Sequence, residues 1–169
     1  MKICLIGFQG AGKTTVGRWL SSKLSLEFFD LDDCLATKHS VSSSKEAFEM
    51  LGEKKFRMEE CLCLEPILML SSYVVALGGG AVEALRRVPD DVHVVYLFRP
   101  LEMVEAEIRL PYPCWIDAED PITSLQRRWE ERHPLYFQRA AAVVIIEKAS
   151  VEDDAQKVLW TLKESDGEQ

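Results

Sequence analysis

The chain has 169 residues, 47% of them hydrophobic, and a formal net charge of −8. That length suits one domain around one core, and the acidic balance argues against general nucleic-acid or anionic-membrane binding. The five scattered cysteines (Cys4, Cys34, Cys61, Cys63 and Cys114), the absence of a signal-type apolar run and the absence of a bilayer-length one place the expected location in a reducing cytoplasm.

Residues 1–6 read as a short buried strand. Gly7-Phe8-Gln9-Gly10-Ala11-Gly12-Lys13-Thr14 then matches G-x-x-x-x-G-K-[ST], the phosphate-cradling P-loop. From Thr15 a helix follows, with Val16, Trp19, Leu20, Leu24 and Leu26 at its apolar positions. Strand, Gly-rich turn and helix in that order aim several backbone N–H groups and the positive end of the helix dipole at one point. Gly10, Ala11, Gly12, Lys13, Thr14 and Thr15 are therefore candidate nucleotide-binding residues. Lys13 would reach the β- and γ-phosphates, and the Thr14 hydroxyl would ligate Mg²⁺.

Residues 26–32 read as a second strand ending in acid, and an extended backbone puts Asp30 and Asp32 on the same side. Residues 33–71 look helical throughout. Ser44 can cap a helix holding Ala47, Phe48 and Leu51, with Gly52 as its stop; a longer helix over 53–70 is kinked or restarted at Pro66. A third strand over 73–77 runs straight into Gly78-Gly79-Gly80, where a neighbouring backbone or a substrate approaches closely.

Residues 92–98 form a fourth strand, and Pro100 opens a helix to about residue 109. Residues 110–119 carry Pro111 and Pro113 and no period, as a mobile loop does. Asp120-Pro121 caps and starts the next helix, which should end near Arg132 ahead of Pro134. Residues 140–147 give a fifth strand, Ser150-x-x-Asp153 resembles a capping box, and residues 165–169 read as frayed tail. Five β-runs with helices between them imply an α/β fold, a parallel sheet covered on both faces.

The strand ends carry the chemistry. The P-loop, Asp30, Asp32 and the triglycine all fall at C-terminal strand ends and should share one rim. Asp30 could hold Mg²⁺ through its water shell, and Asp32 could orient or deprotonate an acceptor hydroxyl; the alternative is that the pair caps the following helix. Arg57 and Arg132, on different helices beside Phe56 and Tyr136, could grip a carboxylate bidentately, or each could be a surface ion-pair residue, Arg57 with Glu59 or Glu60. Cys61 and Cys63 read as packing residues, and His39, His93 and His133 as structural ones.

The P-loop, Phe28-Phe29-Asp30-Leu31-Asp32, Gly52-Glu53-Lys54-Lys55-Phe56-Arg57, Leu77-Gly78-Gly79-Gly80 and Arg132-His133-Pro134-Leu135-Tyr136 together resemble the successive motifs of shikimate kinases, in order over nearly the whole chain. The resemblance implies a single P-loop kinase domain over residues 1–169. Its fold would be a three-layer sandwich around a five-stranded sheet of order 2-3-1-4-5, with a lid at about 109–120. It implies a monomer that phosphorylates the 3-hydroxyl of shikimate from ATP with Mg²⁺, with no nucleic-acid or membrane partner. Asp32, Arg57, Gly78, Gly79, Gly80 and Arg132 would bind shikimate, with Phe48 and Phe56 lining the pocket. Lys13, Thr14 and Asp30 would serve ATP and Mg²⁺. Three departures from the family pattern stand out. Tyr112 or Pro113 falls where a lid arginine is usual, leaving Arg109 as the nearest replacement and a candidate for both catalysis and nucleotide contact. Ala76 replaces a hydroxyl residue near the metal. Lys148-Ala149-Ser150 forms the stretch expected beside the base, with mainly backbone and apolar contacts. A kinase for another small hydroxy acid such as gluconate, and a nucleotide-binding module without turnover, are the competing readings.

Overall fold

Side chains alternate along the central strands, and the alternation divides the core in two. The structure is a computed structural model that describes residues 1–85, 88–108, 113, 116–147 and 150–167. Its elements are β1 (Lys2–Ile6), α1 (Lys13–Leu24), β2 (Phe28–Asp30), α2 (Leu31–Lys38), α3 (Ser44–Leu51), α4 (Glu53–Leu68), β3 (Tyr73–Ala76), β4 (Val92–Phe98), α5 (Leu101–Glu107), α6 (Pro121–Arg139), β5 (Ala142–Ile145) and α7 (Val151–Gly167), with a 3₁₀ turn over Ala81–Ala84. Cys4 and Ile6 of β1 join Tyr73, Val75, Val94 and Tyr96 in a core that α4 and α6 close with Leu64, Ile67, Leu125 and Tyr136. Ile3 and Leu5 join Val74, Val95 and Leu97 in the opposite core, closed by Val16 and Leu20 of α1 and Val158 and Leu162 of α7. Period-two burial on both faces is what a central parallel strand requires, and each such side chain contributes about 1.5–3 kcal/mol.

The five strands form one sheet of order β2-β3-β1-β4-β5, and every neighbouring pair is parallel. All C-terminal strand ends therefore face one rim. The P-loop leaves the middle strand, between the ends of β3 and β4, which is where ligands of open α/β sheets bind.

Several boundaries differ from the sequence reading, each for a local reason. α1 begins at Lys13, two residues earlier than expected. β2 ends at Asp30, not residue 32: the Asp30 side chain accepts the Asp32 N–H at 3.0 Å and so caps α2. Asp32 thus sits in the first turn of a helix and not on a strand. The run 33–71 is broken at 39–43, where Ser40 adopts a left-handed φ of 55°. Ser43, not Ser44, caps α3, and Glu46 reaches back to the Ser42 N–H at 2.9 Å. Pro66 lies in the last turn of α4, which stops at Leu68.

The largest difference is α6, which continues through Pro134 to Arg139. Proline removes one helical hydrogen bond, but the residues beyond it are anchored. Tyr136 is fully buried and packs on Tyr96 with ring centroids 4.9 Å apart. His133 stacks on Trp129 and its Nδ1 pairs with the Tyr96 hydroxyl at 2.9 Å. At the other end of the chain, Ser150 accepts the Asp153 N–H at 3.0 Å as a cap should, and α7 runs to Gly167, past the start of the expected tail.

Candidate active site

The P-loop is shaped by what it touches. Gly7 has φ 147°, and a Cβ there would lie 2.6 Å from the Leu97 carbonyl of β4, so only glycine fits against that strand. Lys13 folds back over the loop, its Nζ donating to the Gly7 and Phe8 carbonyls at 2.9 Å each. Burial lowers its pKa to about 8 against the pull of Asp32 and Asp30. The Thr14 hydroxyl donates to Asp30 Oδ2 at 2.6 Å. A hydroxyl and a carboxylate side by side are the hard oxygen donors that Mg²⁺ takes alongside water and phosphate. No group of three or more His, Cys, Asp or Glu that could hold a metal occurs among the described residues.

Beside the P-loop, at the end of the neighbouring strand β3, the triglycine serves as a floor for charged side chains. A Cβ at Gly80 would overlap the Arg57 guanidinium; one at Gly78 would lie 2.9 Å from Asp32 Oδ1 and 3.2 Å from Glu60 Oε1; one at Gly79 would lie 3.7 Å from Arg132 Nη1. A side chain at Gly78 or Gly80 would displace these groups, whereas one at Gly79 would meet Arg132 at ordinary contact distance. Tyr136 donates its hydroxyl to the Gly79 carbonyl. Because α6 continues past Pro134, Arg132 and Tyr136 are four apart on one helical face. Both therefore reach the same turn, and Arg132 is buried there.

Arg57 pairs with Glu60 across one turn of α4, Nη1 to Oε2 at 2.6 Å. Glu60 is 1% exposed, and burial raises its pKa to about 7, with Arg57 opposing and Asp32 adding to the rise. Burial and the Asp30 charge likewise raise Asp32, against Lys13. Phe48 and Phe56 meet edge to face, centroids 5.3 Å apart, and wall one end of the cleft.

One cleft of about 710 Å³ brings together Lys13, Thr14, Thr15, Asp30, Asp32, Phe48, Phe56, Arg57, the three glycines and Arg132, along with Gly10 and Gly12. Ala11 is the exception: its side chain turns into the core and its N–H goes to the Phe8 carbonyl at 3.2 Å, so it shapes the loop from behind. Arg109 and Lys148 lie outside the described residues. Three residues of the site were not assigned from sequence. The sequence marks Glu60 only as a surface partner for Arg57 and Tyr136 only as a motif residue, and it does not mark Arg99. A charged residue directly after an apolar strand, on the ligand rim, was the signal available for Arg99.

Comparison with known proteins names the fold that holds this cleft. The shikimate kinase family model matches residues 9–163. The chain belongs to the shikimate kinase family. The shikimate kinase of Neisseria gonorrhoeae (strain ATCC 700825 / FA 1090) is 34% identical over 168 residues, covering 95% of each chain. The structure titled shikimate kinase from Acinetobacter baumannii in complex with shikimate superposes with a TM-score of 0.86 at 32% identity, over 97% of this chain and 93% of that one. A gluconokinase from Sinorhizobium meliloti 1021 shares 16% identity with a TM-score of 0.63, over 96% of this chain and 91% of that one, which is likeness of fold alone. The family and fold expected from the motifs, including the 2-3-1-4-5 sheet, are thus in place.

Proposed function

We propose that the chain transfers the γ-phosphoryl group of ATP to the 3-hydroxyl of shikimate, giving shikimate 3-phosphate and ADP. The observation that carries this reading is the convergence of Arg57 and Arg132, from different helices, on the triglycine in the same cleft as the P-loop. Two forked cations beside carboxylates suit a small polyhydroxy acid: the arginines take its carboxylate, and Asp32 accepts from its hydroxyls. Asp32 also orients the acceptor hydroxyl and can receive its proton, a task its raised pKa favours. Lys13 and the N–H groups of Gly12 to Thr15 take the phosphates. Thr14 and Asp30 would hold Mg²⁺, which would supply neutralisation of the charge on the transferring phosphoryl group. All of these residues come from one chain, so the cleft needs no residue from a second copy, which supports action as a monomer.

The test is ADP release with Mg·ATP and, in turn, shikimate, quinate and gluconate. Shikimate-dependent turnover is expected. Turnover with gluconate alone would move the assignment to another hydroxy acid, and nucleotide binding without turnover would reduce the chain to a binding module.

Glu60 gives this reading a pH signature. The groups facing it are Arg57 on its own helix, Asp32 from α2 and Arg132 from α6. Its folded-state pKa lies near 7, so it gains a proton as pH falls from 8 to 6, and the site becomes more positive toward a substrate carboxylate that stays ionised. Shikimate binding should therefore tighten over that interval, by about tenfold at most. Calorimetric titration of shikimate at each pH measures it. Glu60→Gln should flatten the dependence, and a dependence that survives in that variant would remove Glu60 as its source.

A further inference from the structure

Arg99 follows β4 on the ligand rim and is 1% exposed. A guanidinium stays charged at any working pH, so such burial requires compensation. Glu107, the last residue of α5, supplies it with both carboxylate oxygens: Nη1 meets Oε2 at 2.8 Å, and Nη2 meets Oε1. Nη1 also donates to the Gly10 carbonyl at 3.1 Å, across 89 residues of sequence.

That last contact bears on phosphate binding. A P-loop attracts an anion only while its N–H groups face the ligand and its carbonyls face away. Three of its carbonyls are held by cations: those of Gly7 and Phe8 by Lys13, and that of Gly10 by Arg99. The Gly10–Ala11 peptide is held at its other edge too, by the Ala11 N–H on the Phe8 carbonyl. A planar trans peptide fixed at both edges cannot rotate. Lys13 must leave its two carbonyls when it turns to a phosphate. Arg99 is kept in place by Glu107.

We propose that Arg99, anchored by Glu107, is a positioning residue for the nucleotide: it locks the Gly10–Ala11 peptide so that the P-loop is preorganised before ATP arrives. Preorganisation lowers the ordering cost of binding, so the loss should appear in nucleotide affinity and not in shikimate affinity. The proposal rests on the P-loop holding the nucleotide of the reaction above.

The test titrates ADP calorimetrically without shikimate, and measures KM for ATP and for shikimate and the melting temperature. It uses Arg99→Lys, Arg99→Met, Glu107→Gln and the double variant Arg99→Met/Glu107→Gln. Arg99→Met should weaken ADP binding and raise KM for ATP by about tenfold or more, with KM for shikimate within about twofold of wild type. Arg99→Lys keeps the charge but not the fork, and should recover part of the loss. Glu107→Gln should weaken ADP binding in the wild-type background and add little to Arg99→Met, as coupled residues do. Unchanged ADP affinity in folded Arg99 variants would overturn the proposal, as would parallel loss of ADP and shikimate affinity. Should Arg99→Met fail to fold, Glu107→Gln decides alone, because Glu107 is half-exposed and its removal leaves no cavity. ADP binding is read without turnover, so failure of the shikimate assignment would leave this test standing.

Discussion

Replacing Lys13 by methionine is expected to lower kcat by about 10³-fold, while shikimate binding stays within about twofold. Methionine keeps most of the apolar stem and removes the ammonium. In the structure that ammonium rests on the Gly7 and Phe8 carbonyls, beside Asp30 and Asp32, with its pKa lowered to about 8 by burial. Charge that develops on a transferring phosphoryl group is stabilised mainly by such preplaced cations in a dry site. The lowered pKa adds a sign. The protonated amine is the useful form, so kcat/KM for ATP should fall as pH rises through about 8. The same limb should be missing from the residual activity of Lys13→Met. Steady-state kinetics from pH 6 to 9 would check both, and a variant within about tenfold of wild-type kcat would take Lys13 out of the transition state.

The second large effect concerns the two arginines. Arg57→Ala and Arg132→Ala should each weaken shikimate binding by about 100-fold or more, with ADP binding unchanged, because each removes half of a charge-assisted grip. The two differ in what is left behind. Arg57 leaves Glu60 buried without its ion-pair partner, so Glu60 should take up a proton and absorb part of the cost. Arg57→Ala/Glu60→Gln should then bind shikimate about as weakly as Arg57→Ala and melt higher. Arg132 is nearly inaccessible, so Arg132→Lys, which keeps charge and bulk but loses the fork, is the safer variant for affinity. Direct titration with shikimate and with ADP separates the sites. Loss of ADP affinity in either arginine variant would show that the residue supports the whole cleft and not the acid subsite.

Local signals and the structure agree best where one residue type has one physical use. Asp120-Pro121 marks a helix start because the side chain caps and the ring needs no N–H, and α6 begins there. The run 92–98 matched β4 to the residue. The two part where local rules compete. Asp30 and Asp32 looked like strand neighbours by their spacing, yet Asp30 ends the strand by capping. Both still reach the cleft, one from the strand end and one from the first helical turn. Pro134 looked like a stop, yet burial of Tyr136 outweighs one missing hydrogen bond.

By itself the sequence determined the strand–helix alternation, the phosphate loop, the acid pair, the triglycine turn and the family to which they belong. These are written in contiguous residues, whose spacing acts through backbone geometry alone. Only the tertiary structure decided that Glu60 is a buried member of the site and not a surface partner. It alone carried Tyr136 to the Gly79 carbonyl, and Arg99 to the Gly10 carbonyl at the end of the adjacent strand. The reason is physical: burial and pairing over such separations are set by how elements pack, and no local period encodes which distant carbonyl a buried cation will meet.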